Sequence, residues 1–339
     1  MAGGSPPGAT ILGCAGPALT AGERAFFRAA DPWGFILFAR NVESPAQLRR
    51  LTADLREAVG REAPVLVDQE GGRVQRLRAP HWREWLPPLD QVARTGSNAA
   101  RAMGLRYRLI AHELRAAGLD ANCAPCADIA TADTHPFLRN RCYGSDLASV
   151  VWVARAVADA LLAGGVLPVV KHLPGHGRAT TDSHLSLPTV TADADTLRQS
   201  DFATFRALND LPMAMTAHIV YTAFDPDRPA TQSPTLLRLI RDEIGFGGLL
   251  VTDDLSMQAL AGSIGDRAGA AIAAGCDIAL HCNGEIPEME AVVAAAGHLS
   301  AAGARRAAAA LAARHLPAPI DIAAAEAELE SLLDGQADG

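Results

Sequence analysis

Short apolar runs alternate with longer amphipathic stretches along most of the chain. Eight runs of about five residues read as strands: Thr10–Cys14, Gly34–Phe38, Ala63–Val67, Leu119–Cys123, Val166–Val170, Met213–Ala217, Gly248–Thr252 and Asp277–His281. Between them, PAQLRRLTADLREAVG, AARAMGLRYRLIAHELRAAGL, PTLLRLIRDEIGF and DRAGAAIAAG repeat apolar positions at helical spacing. Several of these end in the glycine that suits a helix C-cap. A strand followed by a helix about eight times, in 339 residues, predicts an α/β fold built as a single TIM (β/α)8 barrel. A doubly wound open sheet loses support because no GxGxxG follows the first strand. No fixed-period repeat and no Ser/Gly/Pro-rich linker divides the chain, so one domain over 1–339 is expected, with about the last ten residues frayed. The Ala-rich tail from about residue 286 reads as the last barrel helix plus one more.

One apolar stretch is long enough to raise the question of a membrane. Residues 150–170, VVWVARAVADALLAGGVLPVV, carry Arg155 and Asp159 in mid-segment and are broken by Gly164-Gly165 and Pro168. They read as a buried helix followed by a buried strand. The N-terminal MAGGSPPGAT lacks the basic and apolar regions of a signal peptide. Composition then sets the class: 49% hydrophobic and 20% charged residues describe a soluble globular protein. A net charge of −8 argues against nucleic acid or an anionic membrane as partner. Six irregularly spaced cysteines in a chain this long do not form a disulfide scaffold and fit a reducing cytoplasm. Cys123 and Cys126 form a lone CxxC with no second copy, which reads as small buried residues beside a strand rather than as a redox or zinc motif.

The candidate chemistry follows the strands. Asp68 leaves the third, Arg141 lies in the loop after the fourth, Lys171 and His172 end the fifth, His218 ends the sixth, and Asp253-Asp254 end the seventh. In a (β/α)8 barrel those strand ends share one face, where active sites sit. The loop KHLPGHGRATTDSHLSLP, 171–188, concentrates titratable groups. His172, His176 and His184 have the residue type for a metal but not a metal-binding helical spacing, and no phosphate-cradling GxxxxGK[ST] is present. Acid–base chemistry fits better. Asp182 stands two residues before His184, so in an extended segment the two side chains share a side, and a carboxylate beside an imidazole orients it and favours its protonated form. At the seventh strand, adjacent residues point to opposite faces, so one of Asp253 and Asp254 should enter the mouth and the other point away, for example to cap a helix. An inward carboxylate there with an imidazole donor on a loop fits double displacement at an acetal carbon. In VLVDQEGGRVQRL, Asp68 can accept hydrogen bonds from two sugar hydroxyls, and at least one of Arg73 and Arg76 serves as a structural partner.

Taken in order and spacing, DQEGGRVQRL, KHLPGHG, TDSHLSLP and VTDDLSM resemble glycoside hydrolase family 3, and within it the bacterial cytoplasmic β-N-acetylhexosaminidases. The resemblance covers nearly the whole chain. It implies one catalytic barrel domain, a retaining mechanism with Asp253 as nucleophile, and His184 as general acid/base assisted by Asp182. It implies sugar-binding roles for Asp68, Arg76, Arg141, Lys171 and His172. Arg141 rests on the NRCYG segment, where Cys142 and Tyr143 replace the family's usual Ser-Phe pair. The implied substrate is a peptidoglycan turnover fragment, terminal N-acetylglucosamine β-1,4-linked to 1,6-anhydro-N-acetylmuramic acid with or without its peptide. A cytoplasmic monomer needing no metal or organic cofactor is expected. Two alternatives stay open: a phosphorylase using phosphate in place of water, and a non-catalytic sugar-binding barrel. His218, Met257 and Asn283 stand where they either line the pocket or serve as ordinary packing and support.

Overall fold

The computed structural model describes residues 6–181 and 186–335. Eight parallel strands make the central sheet: β1 Gly8–Leu12, β2 Pro32–Leu37, β3 Val65–Val67, β4 Ala121–Asn122, β5 Leu167–Leu173, β6 Met213–Thr216, β7 Leu249–Val251 and β8 Ala279–His281. Each pairs with the next in sequence, β1 pairs with β8 (Thr10 opposite Ala279), and a Val251–Ile278 bridge joins β7 to β8. The sheet therefore returns on itself, and the fold is a single (β/α)8 barrel. Every residue of these eight strands is buried, as expected when helices cover the outside and side chains fill the inside. All eight expected strands are present. Their ends shift by a few residues, because a run's apolarity marks burial rather than the ladder itself.

Helix ends follow local chemistry. Thr20 and Ser44 accept from the backbone three residues on, while Glu23 and Gln47 reach back, so both first turns carry a capping box. Gly60 closes Pro45–Val59 in the left-handed conformation that the C-cap requires. The segment expected as a buried helix and strand is the helix Leu147–Ala163 followed by β5. Arg155, which breaks its apolar run, pairs with Asp210 on the helix's outer side. Among the described residues no helix is long and apolar enough to cross a membrane.

The C-terminal tail differs from expectation. Beyond the last barrel helix, Ile286–Ala296, lie two helices rather than one, Ala301–Ala312 and Ile322–Asp334. Alanine-rich sequence gives little periodic contrast, which hides the break at the prolines around 317–319. These helices serve the N-terminal face of the barrel. Arg306 pairs at 2.7 Å with Asp277, just before β8, and Arg314 pairs with Asp120, just before β4. Both aspartates are buried and also hold Arg241 and Arg56, respectively. Of the tail expected to fray, Leu332 and Leu333 lie in the last helix and pack on the core, while 336–339 lie outside the described residues.

A hairpin after β3 carries the chain into the mouth. Gln69–Gly71 pairs antiparallel with Val74–Gln75, turning through Gly71 (φ 110°) and Gly72 (φ 56°). Behind it the fully buried Arg106 donates to the Glu70 carbonyl and, at 2.8 Å, to Gln91. A Cβ on Gly71 would run into the Arg106 guanidinium and approach the Leu86 carbonyl to 2.8 Å. Strained backbone and overpacking together predict that Gly71→Ala loses roughly 2–4 kcal/mol of stability, measurable as a lower denaturation midpoint in urea. A midpoint equal to that of the wild type would show that the turn relaxes.

Candidate functional site

The buried end of β5 sets the site. Lys171 points its ammonium between two carboxylates, Asp68 at 2.9 Å and Glu70 at 2.6 Å. Asp68 leaves β3, and Glu70 stands two residues on, in the hairpin. The second oxygen of Asp68 accepts from Arg76 at 2.9 Å. Glu70 accepts from Arg141 in bidentate fashion, Nε at 2.9 Å and Nη2 at 2.8 Å. Burial opposes charge on all of these groups, and the partners outweigh it. Arg141 and Lys171 hold Glu70 down at about 2, Lys171 and Arg76 hold Asp68 below the usual carboxylate range, and Asp68 and Glu70 push Lys171 well above its ordinary value.

His172, the next residue of β5, is oriented from behind. Its Nδ1 donates to Asp128 at 2.7 Å, so Nε2 is the face left for Arg141 Nη2 at 3.4 Å. The other oxygen of Asp128 accepts the backbone N–H of His176 at 2.6 Å and that of His172 at 3.3 Å. Cys126 donates to Asp128 at 3.3 Å. The donor atoms of Cys126, Asp128 and His172 lie within 4.8 Å of one another and are the one group among the described residues that could gather round a metal ion. Each is already satisfied by the others, and the arrangement reads as support for the His172 ring. Cys123 and Cys126 are both buried and unbridged, and burial raises the Cys123 thiol while the contacts of Cys126 with Cys142, together with burial, raise Cys126.

Asp253 follows β7. Burial opposes its charge, but His172, His218, the Asp254 N–H and Lys171 together hold the carboxyl below its ordinary value. The Asp254 N–H donates to it at 2.9 Å. Both aspartates contribute to the cavity lining, but their carboxylates are used differently. The strand ends at Val251, so its alternation no longer applies. The Asp254 carboxylate is instead occupied by the next turn: Ser256 donates its N–H at 3.0 Å and its hydroxyl at 2.6 Å, and Cys282 its N–H at 3.3 Å.

One cavity of about 110 Å³ is lined by Asp68, Arg76, Arg141, Lys171, His172 and Asp253, the six described residues singled out in the sequence as catalytic or sugar-binding. Phe38, Phe137, Met215 and Met257 give it apolar walls. Met257 thus faces the cavity, whereas His218 and Asn283 are not on its wall. Asp182 and His184 lie outside the described residues. Sequence reasoning missed Glu70 and Asp128. Glu70 was legible: it stands two residues after Asp68, the same spacing that singled out Asp182 and His184. Asp128 had no local signal, because the histidines it holds are about 45 residues away.

Residues 30–312 match the glycosyl hydrolase family 3 N terminal domain. The chain belongs to that family. It is similar to the beta-hexosaminidase of Pseudomonas aeruginosa, 37% identical over 279 residues that cover 81% of this chain and 82% of that protein. The beta-hexosaminidase of Alkalilimnicola ehrlichii is 39% identical over 303 residues, covering 86% and 84%. Among solved structures, NagZ from Neisseria gonorrhoeae in complex with N-trifluoroacetyl-D-glucosamine superposes with a TM-score of 0.83 at 30% identity, covering 99% of each chain.

The charges make acid titration informative. Burial, reinforced by His172, lowers His176 from 6.5 to about 4, so below pH 6.5 the unfolded chain takes up a proton that the folded one refuses. Stability should therefore fall on acidification from about pH 6.5 to 4, with a limiting slope of about 1.4 kcal/mol per pH unit for this proton. The depressed carboxylates Asp68, Glu70, Asp128 and Asp253 act lower: their contribution is intact above about pH 4 and lost as pH falls through their folded values. Urea unfolding of the wild type and His176→Asn at pH 7 and pH 5 checks this. The variant should lose less stability between the two, and equal losses would refute the assignment to His176.

Proposed function

We propose that this family 3 β-N-acetylhexosaminidase is a retaining exo-β-N-acetylglucosaminidase. It releases terminal β-1,4-linked N-acetylglucosamine from peptidoglycan turnover fragments, GlcNAc-1,6-anhydro-MurNAc with or without peptide. It works as a cytoplasmic monomer of one catalytic domain, without a cofactor. The observation that carries the reading is the placement of the Asp253 carboxylate, held ionised, in one small cavity with the Asp68–Lys171–Glu70–Arg141 network.

The network suits polyol recognition. Lys171 has three N–H donors and uses two on carboxylates, so the third serves a hydroxyl. Arg141 spends Nε and Nη2 on Glu70 and presents Nη1. Asp68 and Arg76 complete a mixed donor–acceptor rim, with His172 beside it holding Arg141 through Nε2. A small pocket with this rim fits one terminal sugar better than the middle of a chain.

In the first step Asp253 attacks the anomeric carbon while His184, oriented by Asp182, protonates the departing oxygen. The C–O bond to the aglycone breaks, and a glycosyl–aspartate ester forms. In the second step His184 takes a proton from water, the water oxygen attacks the same carbon, and Asp253 leaves as carboxylate. Two inversions give net retention. Histidine titrates nearer neutral pH than an unperturbed carboxyl, which suits a group that must give and take the same proton.

The test is hydrolysis of a chromogenic β-N-acetylglucosaminide and of the GlcNAc-anhydro-MurNAc disaccharide, with NMR of the first-formed anomer. The wild type should release β-configured N-acetylglucosamine, and Asp253→Ala should lower kcat by about 10⁴-fold or more. His184→Ala should harm the disaccharide more than the activated aryl glycoside, whose leaving group needs little protonation. Sugar 1-phosphate formed in phosphate buffer would favour the phosphorylase. Binding without turnover would favour a sugar-binding barrel.

A further inference from the structure

We infer that His218 is a positioning residue for the nucleophile, acting through the backbone of Asp254 to fix the Asp253 carboxylate. The inference rests on the reading of Asp253 as nucleophile.

His218 follows β6 and is fully buried behind the cavity rather than on its wall. Its Nε2 lies 3.0 Å from the Asp254 carbonyl, which also accepts from Met257 N–H at 3.2 Å. A carbonyl cannot donate, so Nε2 carries the ring proton. Asp254 is thereby held at its carbonyl by a neighbouring strand and at its carboxylate by Ser256 and Cys282. With both held, its N–H is aimed at the Asp253 oxygen, 2.9 Å away. His218 contributes the cross-strand member of that set. The link runs from β6 to the segment after β7, so it sets the nucleophile against the barrel rather than against its own loop.

The far side of the ring is built to keep this orientation. Nδ1 lies 2.8 Å from the Thr231 hydroxyl, which is itself 2.8 Å from the Thr216 hydroxyl and 3.0 Å from the Ala217 carbonyl. With one ring proton, Thr231 donates to Nδ1 and accepts from Thr216. With two, Nδ1 donates to Thr231, which turns its proton to Ala217. Nδ1 has the Thr231 hydroxyl as its partner in both states, so the ring does not swing when nearby charge changes. The charge does change in the proposed reaction: Asp253 loses its negative charge on forming the ester and regains it on hydrolysis.

The titratable groups facing Asp253 are Lys171 and His172 of β5, His176 beyond it, His218 after β6, and the buried thiols Cys123 and Cys282, with Asp254 adjacent in the chain. Removing the His218 donor loosens the Asp254 N–H that favours the Asp253 anion. The acidic limb of kcat/KM should then move to higher pH.

The experiment compares wild type, Asp253→Ala, His218→Leu, His218→Gln and His218→Asn on the chromogenic substrate from about pH 2.5 to 8, with short assays at the acidic end and thermal unfolding as a check on folding. Glutamine places an amide N–H near the Nε2 position, and asparagine is too short to reach Asp254. His218→Leu and His218→Asn should lower kcat/KM by about 10²-fold, mainly in kcat, with the acidic limb raised. His218→Gln should recover to within about tenfold of wild type, with the limb restored. If the leucine variant does not fold, the contrast between Gln and Asn decides alone. Leu or Asn within about twofold of wild type, or Gln and Asn equally impaired with the limb unmoved, overturns the inference while a dead Asp253→Ala keeps the nucleophile in place. Full activity in Asp253→Ala brings down the nucleophile reading and this inference with it.

Discussion

An ammonium group at the inner end of β5 cannot remain charged in a barrel without partners, and much of the mouth is arranged around that constraint. Lys171 is 2% exposed and sits between Asp68 and Glu70. Those two acids would repel each other in turn if Arg76 and Arg141 did not take their remaining oxygens. Five charges from the β3 hairpin, the loop after β4 and β5 thus form one continuous unit. Breaking a buried pair of this kind typically costs about 3–5 kcal/mol, because the surviving charge stays desolvated. The same unit keeps its donors and acceptors in place before any ligand arrives, so little reorganisation is left for binding.

The rest of the mouth is built by similar delegation. Asp128 spends one oxygen on the His172 ring and the other on two backbone N–H groups, so the imidazole's direction is fixed by a residue that never meets the cavity. Arg106 does the same for the hairpin through the Glu70 carbonyl. Gly71 is glycine because that guanidinium occupies the space a side chain would need.

How much of this was legible in the sequence follows from range. A parallel barrel strand is buried on both faces, so it appears as a short apolar run, and all eight were readable. The strand ends then brought Asp68, Lys171, His172 and Asp253 to one face by topology alone. Topology also brought Arg141 to that face, in the loop after the fourth strand, whereas its sugar-binding role and that of Arg76 needed the family resemblance. Glu70 was within reach of simple alternation. Asp128 was not, because its role exists only across strands. At Asp253-Asp254 the chain has already left the sheet, so the division of labour between the two acids is set by the next turn, where Ser256 takes the Asp254 carboxylate, and not by strand alternation. Alanine-rich helices past residue 296 blurred into one another for want of polar contrast.

The opposite end of the barrel has a consequence for biosynthesis. Asp120 and Asp277, buried beneath β4 and β8, take Arg314 and Arg306 from the helix and turn beyond the last barrel element. During synthesis the barrel's own segments emerge before those two arginines do. Until they arrive, Asp277 has Arg241, and Asp120 has Arg56 with Arg115 more distant at 3.7 Å. The underside of a nascent chain would therefore remain undercompensated in charge, and the barrel would reach its full stability only after the segment carrying Arg306 and Arg314 has emerged.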